Sequence, residues 1–206
     1  MQTRNLAIYI FDAVEVLDFA GPFEIFSVTG LRSNAPKPFN VYTVADKPMI
    51  TARNGLRIIP NYTLENCPQP DIFLIPGGGG MNPDGTPFGS RLEMHNQNLL
   101  KWVRTQNQTA ELVLSVCTGS LILANAGLLN GLKATTHWKA GDAMQAAAPN
   151  TELLMDQRWV DNGRIVLSAG VSAGIDMSLY IVAKLLGEVA ALETAQYIQY
   201  DYWPQK

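Results

Sequence analysis

Cysteine and histidine are scarce in this 206-residue chain: two of each, Cys67, Cys117, His95 and His137. Two cysteines cannot build a disulfide framework, and a reducing, cytoplasmic setting is the expectation. Charge is also sparse, at 16% Asp, Glu, Lys and Arg with a net charge of -3. No basic block stands out, so nucleic acid is not an expected partner. No apolar run reaches the ~18 residues of a membrane span, so no membrane association is expected. The start, "MQTRNLAIYIF", lacks the long apolar core and cleavage site of a secretory leader. No His, Cys and Asp cluster has metal-ligand spacing, so no metal site is expected.

Apolar residues are plentiful, at 47%. They fall into short runs that alternate with helical patterns, and no repeat or linker divides the chain, so residues 1–206 read as a single domain. "NLAIYIF" (5–11), "FNVYTVA" (39–45), "DIFLIPGGGG" (71–80) and "ELVLSV" (111–116) read as strands, most of them apolar on both faces. "PMITAR" (48–53) and "LRIIPNY" (56–62) suggest a hairpin around Asn54-Gly55. Helices are predicted over 18–30, 90–106, 140–148, 171–187 and 188–200, with a short strand at 133–138 and a hairpin turn at Asp161-Asn162-Gly163. The alternation implies an α/β fold with a mostly parallel sheet covered on both faces. Sites in such sheets lie at the carboxyl ends of the strands. Three loops should meet there: after Phe11, after Ile75, and at Cys117.

"SVCTGS" (115–120) places Cys117 where a strand turns into a helix, with small residues two positions to either side. The arrangement parallels the G-x-S-x-G nucleophile elbow of hydrolases. A helix N-terminus beside the sulfur should lower the thiol pKa from about 8.5. Cys117 is therefore a candidate nucleophile, the alternative being a small buried cysteine at a tight corner. Its base is not obvious. Thr118, not histidine, follows it, and no histidine lies beyond His137, which excludes the Cys-His-acid order of glutamine amidotransferases. His137 reads as a packed structural histidine and His95 as a surface residue. Asp18, in the apolar company of Val16, Leu17 and Phe19, could supply the carboxyl group or simply cap the following helix. The glycines of "IPGGGG" lack the Lys-Ser/Thr of a phosphate loop. Gly78 and Gly79 could turn backbone N–H groups toward the sulfur, or merely permit positive φ.

Four strings, "FDAVEVLDFAGPFEIF", "DIFLIPGGGG", "SVCTGSLILANAGLLNGLKATTHW" and "SAGVSAGIDMSL", resemble the ThiJ/PfpI superfamily across nearly the whole chain, and within it the isocyanide hydratase-like branch. The resemblance implies a flavodoxin-like three-layer α/β sandwich, related to the class I glutamine amidotransferase domain, and a homodimer. It implies a cysteine-dependent lyase acting on a small electrophile without metal or organic cofactor. Cys117 would be the nucleophile, Asp18 the acid beside it, Thr118 a hydrogen-bonding neighbour, and Gly78 and Gly79 the pocket border. Residues 169–176 would begin a helix lining the site. Glyoxalase- or amidase-like chemistry is the alternative within the superfamily. A ligand- or redox-sensing domain is another, since similar strings occur ahead of DNA-binding regions in transcription regulators. With Lys206 directly after the expected last helix, such a region is not expected in this chain.

Overall fold

A computed structural model describes residues 2–31 and 36–201; the end at Lys206 lies outside them. At the centre is a seven-stranded sheet. The chain enters it through β1 (Arg4–Tyr9), whose inner residues are fully buried, and crosses through helix α1 (Val16–Val28) to β2 (Phe39–Ala45). A small hairpin follows, β3 (Ile50–Thr51) with β4 (Arg57–Ile58), around the turn at Arg53–Gly55. Strand β5 (Tyr62–Thr63) then edges the main sheet.

The next strand, β6 (Ile72–Ile75), stops before the glycines. These do not form a simple loop. They lead into a second hairpin, β7 (Gly79–Met81) with β8 (Pro87–Gly89). The helix predicted over 90–106 is two: a turn, α2 (Ser90–Glu93), and α3 (Gln97–Asn107). The break lies at Asn96, whose side chain accepts the backbone N–H groups of Asn98 and Leu99 and so starts a new helix.

Strand β9 (Leu112–Val116), buried throughout, runs into α4 (Gly119–Asn125). The strand expected over 133–138 is only β10 (Lys133–Ala134), after which a 3₁₀ turn (Trp138–Ala140) leads to α5 (Gly141–Ala147). Strand β11 (Glu152–Leu153) pairs with β10. Strands β12 (Trp159–Asp161) and β13 (Ile165–Ser168) form the hairpin turned by Gly163. Helices α6 (Ala173–Leu186) and α7 (Glu188–Tyr197) complete the described chain.

The sheet order is β12-β13-β9-β6-β1-β2-β5, and every neighbouring pair is parallel except β12 with β13. Strands β1, β6, β9 and β13 thus lie side by side. Their carboxyl ends lead to Asp18, Gly77, Cys117 and Val171, so the three predicted loops converge and a fourth joins them. Among the described residues no helix is long and apolar enough to cross a membrane.

Candidate active site

Cys117 sits in the turn between β9 and α4 with φ at +56°, a region that non-glycine residues rarely occupy. The surroundings hold it there. Its N–H donates to the carbonyls of Ser168 and Ala169 at 3.2 and 3.0 Å, and its carbonyl accepts from the Ser120 and Thr136 hydroxyls, each at 3.0 Å. Thr136 belongs to the "TTHW" string, so that string clamps the elbow from the side. Gly119 explains the small-residue requirement: a side chain there would run into the Ile75 carbonyl of β6.

Asp18 is fully buried in the first turn of α1, one strand beyond the elbow's neighbour. It is not the helix cap, a position taken by Glu15. Its Oδ2 accepts the Gly77 N–H at 2.9 Å, and the carboxyl group is close enough to the Cys117 thiol for each to act on the other's titration. Oδ1 has no hydrogen-bond partner among the described residues. Burial pushes the Asp18 pKa up to about 7, against the lowering effect of the Gly77 N–H.

The thiol departs from the sequence expectation. Burial first, and then the Asp18 charge, push the Cys117 pKa up to about 12, although the N–H groups of Thr118 and Val171 and the Thr118 hydroxyl pull the other way. The helix N-terminus is present, but desolvation and a buried carboxylate outweigh it. Between about pH 7 and pH 12 the pair holds one proton, and its two titrations belong to the pair.

The donors facing the sulfur are also not those expected. The Gly78 N–H is committed to Thr118 Oγ1 at 3.1 Å. Gly78 and Gly79, with φ of +124° and +82°, serve close backbone approach: a side chain on Gly78 would strike Glu15 N, and one on Gly79 the Phe88 carbonyl. Both glycines border the site through the hairpin, not as donors to sulfur. The N–H groups that pull the thiol pKa down are those of Thr118 and Val171. Val171 is itself held at φ +46°, unusual for a β-branched residue.

Sequence reasoning missed Gly77, although it is the tightest glycine against the candidate pair. A side chain there would come within 2.5 Å of Thr118 N and 3.0 Å of Asp18 Oδ2. It also missed Ser90, whose hydroxyl lies 2.7 Å from Thr118 Oγ1 and 2.7 Å from the Gly78 carbonyl. Only the position of Ser90 after Gly89 hinted at a special turn. His137 accepts the Lys139 N–H at 3.3 Å, and its ring fills the space beside Gly170. Burial and the charges of Lys139 and Arg91 lower its pKa, which fits the structural reading. His95 is exposed and Cys67 half-buried. Among the described residues no group of three or more His, Cys, Asp or Glu side chains could hold a metal ion.

A buried carboxyl on a strained cysteine elbow, at the carboxyl edge of this sheet, can be set beside known proteins. The sequence model of the DJ-1/PfpI family matches residues 4–184. The chain belongs to the DJ-1/PfpI family. Among curated relatives it is 32% identical over 196 residues to an isonitrile hydratase of Pseudomonas putida, covering 95% of this chain and 76% of that protein. It is also 30% identical over 152 residues to a helix-turn-helix transcriptional regulator, CdhR, of Pseudomonas aeruginosa, covering 74% of this chain and 42% of that one. Among solved structures, a ThiJ/PfpI family protein from Pseudomonas syringae superposes with a TM-score of 0.83 at 29% identity, covering 100% of this chain and 78% of that one. The DJ-1beta protein of Drosophila melanogaster shares the fold, with a TM-score of 0.81 at 17% identity, covering 98% of this chain and 100% of that one. The chain is thus similar to proteins whose names carry more than one function, an isonitrile hydratase and a transcriptional regulator among them.

Proposed function

We infer that the protein hydrates an isocyanide to an N-substituted formamide, with Cys117 as nucleophile and Asp18 as its proton partner. The observation that carries this reading is the fully buried Asp18, its Oδ2 on the Gly77 N–H and its Oδ1 without a partner among the described residues, set where it and the Cys117 thiol act on each other's titration. Similarity to the isonitrile hydratase of Pseudomonas putida supplies the substrate class.

As sulfur attacks the terminal isocyanide carbon, its proton passes to the Asp18 carboxylate. Asp18 then delivers that proton to the same carbon, leaving a thioimidate, S–CH=N–R, on the enzyme. Water adds to the carbon, giving one proton to Asp18 and, through it, one to nitrogen. Collapse of the tetrahedral adduct breaks the C–S bond, releases the formamide and returns the proton to sulfur. The sum is one isocyanide and one water giving one formamide. A carboxyl with a pKa near neutrality suits both directions of transfer. The Thr118 and Val171 N–H groups stabilise negative charge on sulfur as the proton leaves.

The test is turnover of a neutral aryl isocyanide, with the formamide identified by mass. Methylglyoxal run in parallel separates this activity from glyoxalase-like chemistry. Formamide from the wild type and none from Cys117→Ala is the expected result. Consumption of methylglyoxal alone would transfer the site to the other reaction.

A further inference from the structure

Arg91 follows Ser90 on α2, the turn that is pinned over the elbow by the Ser90 bonds to Gly78 and Thr118. Its guanidinium is half-buried, and Nη1 is shielded from solvent yet has no acceptor among the described residues. Five other placed arginines differ: Arg4, Arg53 and Arg158 hold carboxylates, and Arg104 and Arg164 hold backbone carbonyls, while Arg57 is exposed to solvent. Arg91 is close enough to the site for its charge to act on both Cys117 and His137.

The carboxylates nearby do not neutralise it. Asp18 is fully buried with Oδ2 on the Gly77 N–H and has no ion pair with Arg91, and Glu15 pairs with Arg53 at 3.5 Å. Lys139 adds a second cation on the same side, its Nζ 4.8 Å from the Trp138 ring centre and its charge acting on His137. A buried guanidinium nitrogen without an acceptor is unfavourable unless a ligand completes it. Guanidinium matches the geometry of a carboxylate better than any other side chain does.

We propose that Arg91 is a specificity residue that receives a carboxylate on the substrate, so that the physiological electrophile is an isocyanide whose substituent carries an anionic group. This extends the hydratase reading, but its test does not require isocyanide turnover. Iodoacetate and iodoacetamide are nearly isosteric, and only the first carries a carboxylate. A thiolate with no cation beside it repels the anion and reacts faster with the amide.

The measured quantity is the ratio of iodoacetate to iodoacetamide alkylation rates, followed by mass at each cysteine of the full chain. Cys67 serves as internal reference. The ratio at Cys117 should exceed that at Cys67 roughly tenfold, the scale of one charge-assisted hydrogen bond partly screened by water. Arg91→Met should abolish that excess, and Arg91→Lys, which keeps the charge but not the fork, should retain part of it. A wild-type ratio at Cys117 no higher than at Cys67, a ratio unmoved by Arg91→Met, or no labelling of Cys117 by either reagent would overturn the proposal. If Arg91→Met fails to fold, the wild-type and Arg91→Lys ratios decide alone. Loss of hydration of the neutral aryl isocyanide with the iodoacetate preference intact would remove the hydratase reading and leave the anion subsite standing.

Discussion

At the scale of single residues, the sign of the Asp18 shift has consequences for stability and rate. Its pKa rises from 3.8 in the unfolded chain to about 7 in the fold. The unfolded chain therefore releases its proton first, and the fold loses stability as pH climbs through that window. The full effect is on the order of 4 kcal/mol, from ~1.36 kcal/mol per pKa unit. Asp18→Asn cannot ionise, so denaturant melts should show its stability relative to wild type increasing from pH 4 to pH 8. A constant difference would mean that Asp18 is not held as described. For the proposed reaction the competent pair carries one proton. The kcat/KM for an isocyanide should rise as pH passes about 7 and then stay level to well above pH 9, because the Cys117 titration lies near 12. Cys117 was legible in the sequence from its small neighbours, and Asp18 from its apolar ones. The direction of the thiol shift was not, because it depends on burial and on a carboxylate 99 positions away in the chain.

At the scale of elements, the site depends on two close approaches of backbone. Gly119 lies against the Ile75 carbonyl, and Gly77 against Thr118 and Asp18. In both places the neighbour includes main chain, which cannot rotate away. Gly119→Ala and Gly77→Ala should each destabilise by about 1–3 kcal/mol, as overpacking does, and Gly77→Ala should also depress turnover by displacing Asp18. Melting curves together with an isocyanide assay distinguish the two. Turn α2 contributes differently. Ser90 can pass its hydrogen to the Gly78 carbonyl or to Thr118, which frees the Thr118 hydroxyl for sulfur only in the second case. The split of 90–106 into α2 and α3 was hidden because helical spacing continues across Met94 and His95. Asn96 was the available signal, a cap residue lying inside that spacing. The glycine run misled in the opposite direction: four glycines suggest a loop, whereas the hairpin β7–β8 uses them to bring strands close to the elbow.

At the scale of the whole molecule, the parallel sheet was readable because β1, β6 and β9 are apolar on both faces, which only a covered sheet permits. The spacing of elements did not carry the order of the strands, and only the family resemblance placed residues 169–176 at the site, where the Val171 loop after β13 meets the other three. The family resemblance leads us to expect a homodimer. Light scattering at micromolar concentration should give twice the 22.5 kDa of one chain, and a single-chain mass would contradict that expectation. The central claim is that Asp18 and Cys117 share one proton and use it to hydrate an isocyanide. The most direct measurement is the kcat of Asp18→Asn on a neutral aryl isocyanide, made on protein shown to be folded. Asparagine keeps the shape and can still accept the Gly77 N–H, but cannot exchange the proton. The account requires a fall of roughly 10²–10⁴-fold, as expected for loss of a general acid and base; turnover within a few-fold of wild type would contradict it.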